Sequence, residues 1–148
     1  MRGSYRPAAP RGRLVSMKTI LNLIWFIFGG FALALGYFLA GVVCCALIVT
    51  IPWGIASFRI ASYALWPFGC TVVDTGRGGA ASALGNIIWL LVAGIWIAIG
   101  HVATALAMAA TIVGIPLAIA NLKLIPVSLM PLGKEIVPSR RLLASYTR

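Results

Sequence analysis

The sequence is short of charge, and above all of negative charge. Only 9% of its 148 residues are charged, and Asp74 and Glu135 are the two acids set against twelve Lys and Arg. A soluble domain usually carries about 25% charged residues, and a small globule with so few ionic groups could not cover itself with a water-facing surface. Reactive side chains are equally scarce. One histidine and two acids leave no nucleophile, base and orienting group to converge, so no catalytic residue is assigned and an enzyme is not expected. The three cysteines are Cys44, Cys45 and Cys70. An odd number without CxxC spacing argues against disulfides or a metal site. Cys44 and Cys45 sit inside an apolar run and read as small packing hydrophobes. No metal and no cofactor are expected. Zinc spacings, a glycine-rich phosphate loop and interleaved base-stacking aromatics are missing too, so the formal charge of +10 does not point to nucleic acid.

What is present is apolar sequence, 61% of the chain. Neither Thr19–Phe58 nor Gly78–Leu122 contains a charged residue. Each exceeds the roughly 20 residues that a helix needs to cross hydrocarbon, and nothing else in so short a chain could bury them. An integral membrane protein is expected. Ten of the twelve basic residues fall outside these stretches and their short sequels, the placement that holds Lys and Arg in the cytoplasm. The apolar run is far longer than a signal-peptide core and lacks a clear small-residue cleavage site, so a retained start-transfer helix is the better reading.

The chain is also a duplication. Shifted by 64 positions it falls on itself without a gap. Asn22 and Trp25 meet Asn86 and Trp89, Gly30 and Gly36 meet Gly94 and Gly100, and Pro52, Pro67 and Gly69 meet Pro116, Pro131 and Gly133. Arg59 meets Lys123. Chance alignment of a leucine-rich composition would not place Asn, Trp, Gly and Pro in register, and a fixed-period repeat dictates architecture. The organisation read from this is a disordered basic tail over 1–16, a first membrane repeat over 17–75, a linker over 76–83, a second repeat over 84–138 and a basic tail over 139–148.

Each repeat holds about thirty apolar residues before an Ile-Pro step, a helical length of about 45 Å against a hydrocarbon core of about 30 Å. The expected solution is a hairpin of two short helices turning near Gly36-Tyr37 and Gly100-His101, with Gly54–Trp66 and Ala118–Met130 as interfacial helices carrying Arg59 and Lys123. The rival is one long helix followed by a short span from Ile55 to Phe68. The expected fold is therefore all-α, with two tandem parallel repeats related by an axis along the membrane normal. Each is a transmembrane helical pair plus an amphipathic or short helix, making about four spans with both termini cytoplasmic. Pro52 and Pro116 are expected to end one helix and aim the next. Trp25 and Trp89 read as aromatic-belt residues, His101 as an interfacial one, and the glycines as helix-packing positions. Asn22 and Asn86 could pair across the axis.

The motifs are similar to those of the YccF family of bacterial inner-membrane proteins. The resemblance rests on Met17-Lys18-Thr19-Ile20-Leu21-Asn22 with Gly29-Gly30-Phe31, on the Ile-Pro steps, on Gly114-Ile115-Pro116 with Ile119-Ala120-Asn121, and on the Pro-x-Gly stops. It covers about residues 17 to 138 and implies a four-span inner-membrane protein with two spans per copy. It also implies that chains of the family begin near Met17, making Met1–Ser16 a species-specific tail or a misread start. It implies no mechanism. Two functions remain. One is an accessory or structural component that meets anionic lipid through Arg59 and Lys123, and another membrane protein or its own copies through its apolar body. The other is an oligomeric transporter or channel subunit. Polar side chains lining a continuous path would favour transport; a sealed interface would favour the accessory role.

Overall fold

The computed structural model describes residues 11–76 and 78–146. In the first copy α1 (Arg11–Trp25) leads through a kinked turn (Phe26–Gly30), where Gly29 leaves helical geometry (φ 173°, ψ −22°), into α2 (Phe31–Ala46). The chain reverses at Leu47–Thr50, and α3 (Ile51–Leu65) returns along α2. Pro52 lies in the first turn of α3, where a helix does not need the missing N–H. Gly69 then takes a left-handed conformation (φ 107°) and leads into strand β1 (Cys70–Asp74). The second copy follows the same course. It comprises α4 (Ala80–Trp89), a π-type turn (Leu90–Gly94), α5 (Ile95–Ala109), a turn, a return arm, left-handed Gly133 (φ 79°) and β2 (Lys134–Pro138). Its return arm is split into α6 (Gly114–Leu122) and α7 (Ile125–Leu129), because Pro126 opens α7 and cannot donate back into α6. A final helix, α8, spans Ser139–Tyr146.

Three expectations are corrected here. No hairpin turns at Gly36-Tyr37 or Gly100-His101. Both steps lie inside α2 and α5; Ala80–Ala109 runs as 30 helical residues, and Met17–Ala46 spans the same length with one kink at Gly29. Glycine permits a turn but does not force one, and flanking Leu, Ala and Ile carry the helix through. The reversals come where the Ile-Pro step follows. The fold is also not all-α. β1 and β2 pair antiparallel, Cys70 opposite Pro138 and Asp74 opposite Lys134, as the β-branched residues Thr71, Val72, Val73, Ile136 and Val137 favour. Of the tail over 1–16, expected to be disordered, residues 11–16 belong to α1 and residues 1–10 lie outside the described residues; the basic tail over 139–148 carries α8.

Two pairs of repeat equivalents show how the copies sit. The strand register is symmetric about Val72 and Ile136, which are repeat equivalents paired with each other. Tyr37 and His101, also equivalents, meet with their rings stacked 6.1 Å apart. These two pairs mark an approximate two-fold axis. Trp53, near the reversal of the first copy, stacks on Trp89 at the base of the second. Gly29, near the base of the first, faces Met108 close to the reversal of the second. The two hairpins pass each other base to tip.

Apolar surface dominates the outside. Leu23, Ile27, Phe28, Phe31, Leu91, Val92 and Trp96 are all more than half exposed, and so are Ile48, Val49 and Ile112 at the reversals. Charge gathers instead at the sheet. Lys134 pairs with Asp74 at 2.6 Å, Arg59 donates to the Lys134 carbonyl at 3.0 Å, and Lys18 lies against Gly69.

Candidate functional site

Each copy is closed at its base by the same two hydrogen-bonding devices, built from the repeat residues that stood out in the sequence. The Asn22 side-chain amide donates to the Phe68 carbonyl at 2.9 Å and its oxygen accepts from the Phe68 N–H at 2.9 Å. Asn86 treats Leu132 identically, at 3.0 Å in both directions. The Trp25 indole N–H donates to the Ala64 carbonyl at 2.6 Å, and that of Trp89 to the Ser128 carbonyl at 2.8 Å. One helical turn separates Asn from Trp, so both point at the returning arm. Neither asparagine faces its mate across the axis, and Trp25, fully buried, is no belt residue. Both corrections have one cause: chain ends at Trp66-Pro67 and Met130-Pro131 leave main-chain groups that need partners.

Glycines serve two different ends. A Cβ on Gly30 would strike the Trp25 indole and stand 3.1 Å from the Ala64 carbonyl, so this glycine admits the indole. Gly94 lies similarly against Leu129 and Trp89. Gly36 and Gly100 have nothing within 4 Å of a Cβ position. They are not packing glycines; they face open space. Pro67 and Pro131 are buried beside the bases, while Pro52 and Pro116 sit in the first turns of α3 and α6. Arg59 and Lys123 are both exposed.

Between the long helices lies a groove of about 640 Å³, reached by Gly36 and Gly100 and walled largely by hydrocarbon from Phe28, Leu33, Ile97 and Met108. At one place its wall is polar. Tyr37 Oη meets His101 Nε2 at 2.8 Å and Ser128 Oγ at 2.7 Å. His101 Nδ1 meets Asn121 Oδ1, and Asn121 Nδ2 donates to Thr104 Oγ1 at 2.5 Å. Thr104 in turn donates to the Gly100 or His101 carbonyl. With the Nδ1–H tautomer His101 donates to Asn121 and accepts from Tyr37, while Ser128 donates either to Tyr37 or to the Leu124 carbonyl. His101, expected at an interface, is 3% exposed. Position alone hid this: Tyr37 and His101 are equivalents of different types, and only their juxtaposition on the axis explains the pair. The first copy holds Ala40, Ser57 and Ala64 where the second holds Thr104, Asn121 and Ser128. The polar seam therefore joins one residue of the first copy, Tyr37, to four of the second. Among the described residues no cluster of His, Cys, Asp or Glu could hold a metal. The half-buried cysteines are free. The Trp53 indole N–H is buried without a partner, its ring stacked on Trp89.

Fold and seam define a duplicated helical-hairpin protein whose two longest helices have the length and composition of membrane spans and lie mostly outside the core. The chain belongs to the YccF family, whose model, described as an inner membrane component domain, matches residues 20–70 and 84–134. It is 43% identical over 75 residues to "Inner membrane protein YccF" of Escherichia coli (strain K12) and, to the same extent, of Shigella flexneri. Each alignment spans 51% of this chain and 51% of the relative, so about half the relatives' length is matched. No solved structure matches the chain.

Proposed function

We propose that this protein is a small inner-membrane component of accessory or structural role, multi-pass, with its charged face and both termini at the cytoplasm. The observation that carries the role is the closed hydrogen-bond chain from Ser128 through Tyr37, His101 and Asn121 to Thr104. Its buried polar groups are spent on one another and its one exposed end, Thr104, opens on a hydrocarbon wall, so no continuous polar path runs along it. The relatives are named as inner membrane proteins, which supports the compartment. The orientation rests on charge. The sheet on the two-fold axis carries Asp74, Lys134 and Glu135. Were the axis in the membrane plane, these would sit at mid-depth, at about 2.5–3.5 kcal/mol per charge. Standing the axis along the normal puts the sheet in water, lets both hairpins enter from one face and tilts the long helices steeply.

In this orientation Arg59 and Lys123 face the headgroup layer and attract anionic lipid, at about 1 kcal/mol each. The deciding experiment is flux from vesicles reconstituted with the full chain. Potassium and chloride release at the protein-free rate is expected; release that grows with protein content would make the transporter reading the correct one.

A further inference from the structure

We infer that the groove between the long helices is a binding site for an uncharged amphiphile of the bilayer, one with a hydrocarbon body and a hydroxyl in its head. The inference rests on the membrane reading above and names what the protein would hold there. Three independent observations carry it. The first is space: about 640 Å³ lies within the roughly 300–1,000 Å³ of small-ligand sites. The second is the pair Gly36 and Gly100. Glycine in a membrane helix ordinarily lets another helix come close, yet at these two equivalent positions nothing stands within 4 Å of a Cβ. A Cβ would fit there and would begin to fill the groove that both glycines line, so the small residues keep it open.

The third is the chemistry of the wall. The lining is hydrocarbon except where the seam reaches it, and no charged residue lines it. Thr104 is the exposed end of the seam. Its hydroxyl hydrogen is taken by a main-chain carbonyl and it already accepts from Asn121, but its oxygen keeps a second lone pair. Asn121 is fully buried behind it. The seam thus offers one acceptor at a single point of an apolar groove. A charged headgroup would find no counter-ion there, and a pure alkane would leave the acceptor unanswered. A neutral head bearing a hydroxyl donates to it.

The test reconstitutes the full chain in vesicles of phosphatidylethanolamine and phosphatidylglycerol containing a little diazirine-bearing hexadecanol. Photolysis is followed by peptide mass spectrometry. Labelling is expected to concentrate on Ala32, Leu33 and Ile97 and to fall with excess plain hexadecanol. Gly36→Leu and Gly100→Leu should abolish it, and Thr104→Val should reduce it about fivefold, the worth of one neutral hydrogen bond. Gly36→Leu guards against a misfolded Thr104 variant, because its side chain meets no neighbour; a melting curve like that of the wild type checks this. Labelling spread evenly over lipid-facing residues such as Leu39 and Val43, uncompeted and unchanged by Gly36→Leu, would overturn the site. So would wild-type dimers that Gly36→Leu dissociates with Ala32 unlabelled, because a second copy would then be the occupant. Release of the wild-type chain from vesicles by alkaline carbonate would overturn the membrane reading itself, a failure separate from the site's.

Discussion

Replacing Asn22 by Ala tests whether the base of each hairpin is held by its asparagine. The Asn22 side chain is fully buried and satisfies both main-chain groups of Phe68 at 2.9 Å. Alanine leaves the N–H and C=O of half-buried Phe68 without partners and empties the buried Asn22 site; at about 1–3 kcal/mol for each unpaired group, the loss should be about 2–5 kcal/mol. Asn86 makes the same pair of bonds at 3.0 Å but is only half-buried. Water reaches its site more easily, so Asn86→Ala should cost about 1–2 kcal/mol. The assay is thermal unfolding of the full chain in mild detergent, followed by circular dichroism. For a chain of this size about 2–4 °C accompanies each kcal/mol, which gives a drop of about 5–15 °C for Asn22→Ala and a smaller one for Asn86→Ala. The reasoning fails if the order is reversed, or if both variants melt within a degree of the wild type. Burial would then not govern what the amide is worth.

The remaining predictions use the same assay. Gly30→Ala drives a Cβ into the Trp25 indole and should destabilise by more than about 2 kcal/mol, whereas Gly36→Ala, in open space, should be neutral or stabilising by up to about 1 kcal/mol. Equal effects would mean that the two glycines do not differ as described. Tyr37→Phe deletes the hydroxyl that joins His101 to Ser128 and should cost about 1–2 kcal/mol; no change in melting would show the seam to be dispensable. Ile48 holds a left-handed conformation (φ 52°) that a β-branched residue adopts only under strain. Ile48→Asn should therefore raise stability by about 1 kcal/mol. Its repeat mate Ile112 is not left-handed, and Ile112→Asn should give no gain; gains at both sites would trace the effect to polarity instead.

The duplication, the apolar class and the helix-directing prolines were legible in the sequence, because each is written in residue type and spacing along one chain. Asn22, Trp25, Gly30 and their mates announced themselves by register, and they do form matched devices in both copies. Their partners were not legible, because a main-chain carbonyl at Phe68 or Ala64 has no signature of its own. The place of reversal was misjudged for a related reason. Glycine is read as a turn because it permits one, but helix continuity depends on the whole neighbourhood, and at Gly36 and Gly100 the reason for glycine is a groove. The strands had a local signal in Thr71-Val72-Val73 and Ile136-Val137, yet two five-residue strands form only because the two copies bring them together. The seam is the furthest from sequence. Tyr37, His101, Asn121, Thr104 and Ser128 share no motif, and Tyr37 lies 64 residues from His101 and 91 from Ser128. Pattern along the chain determined what repeats. Which residues touch across the axis was decided by the base-to-tip crossing of two packed hairpins.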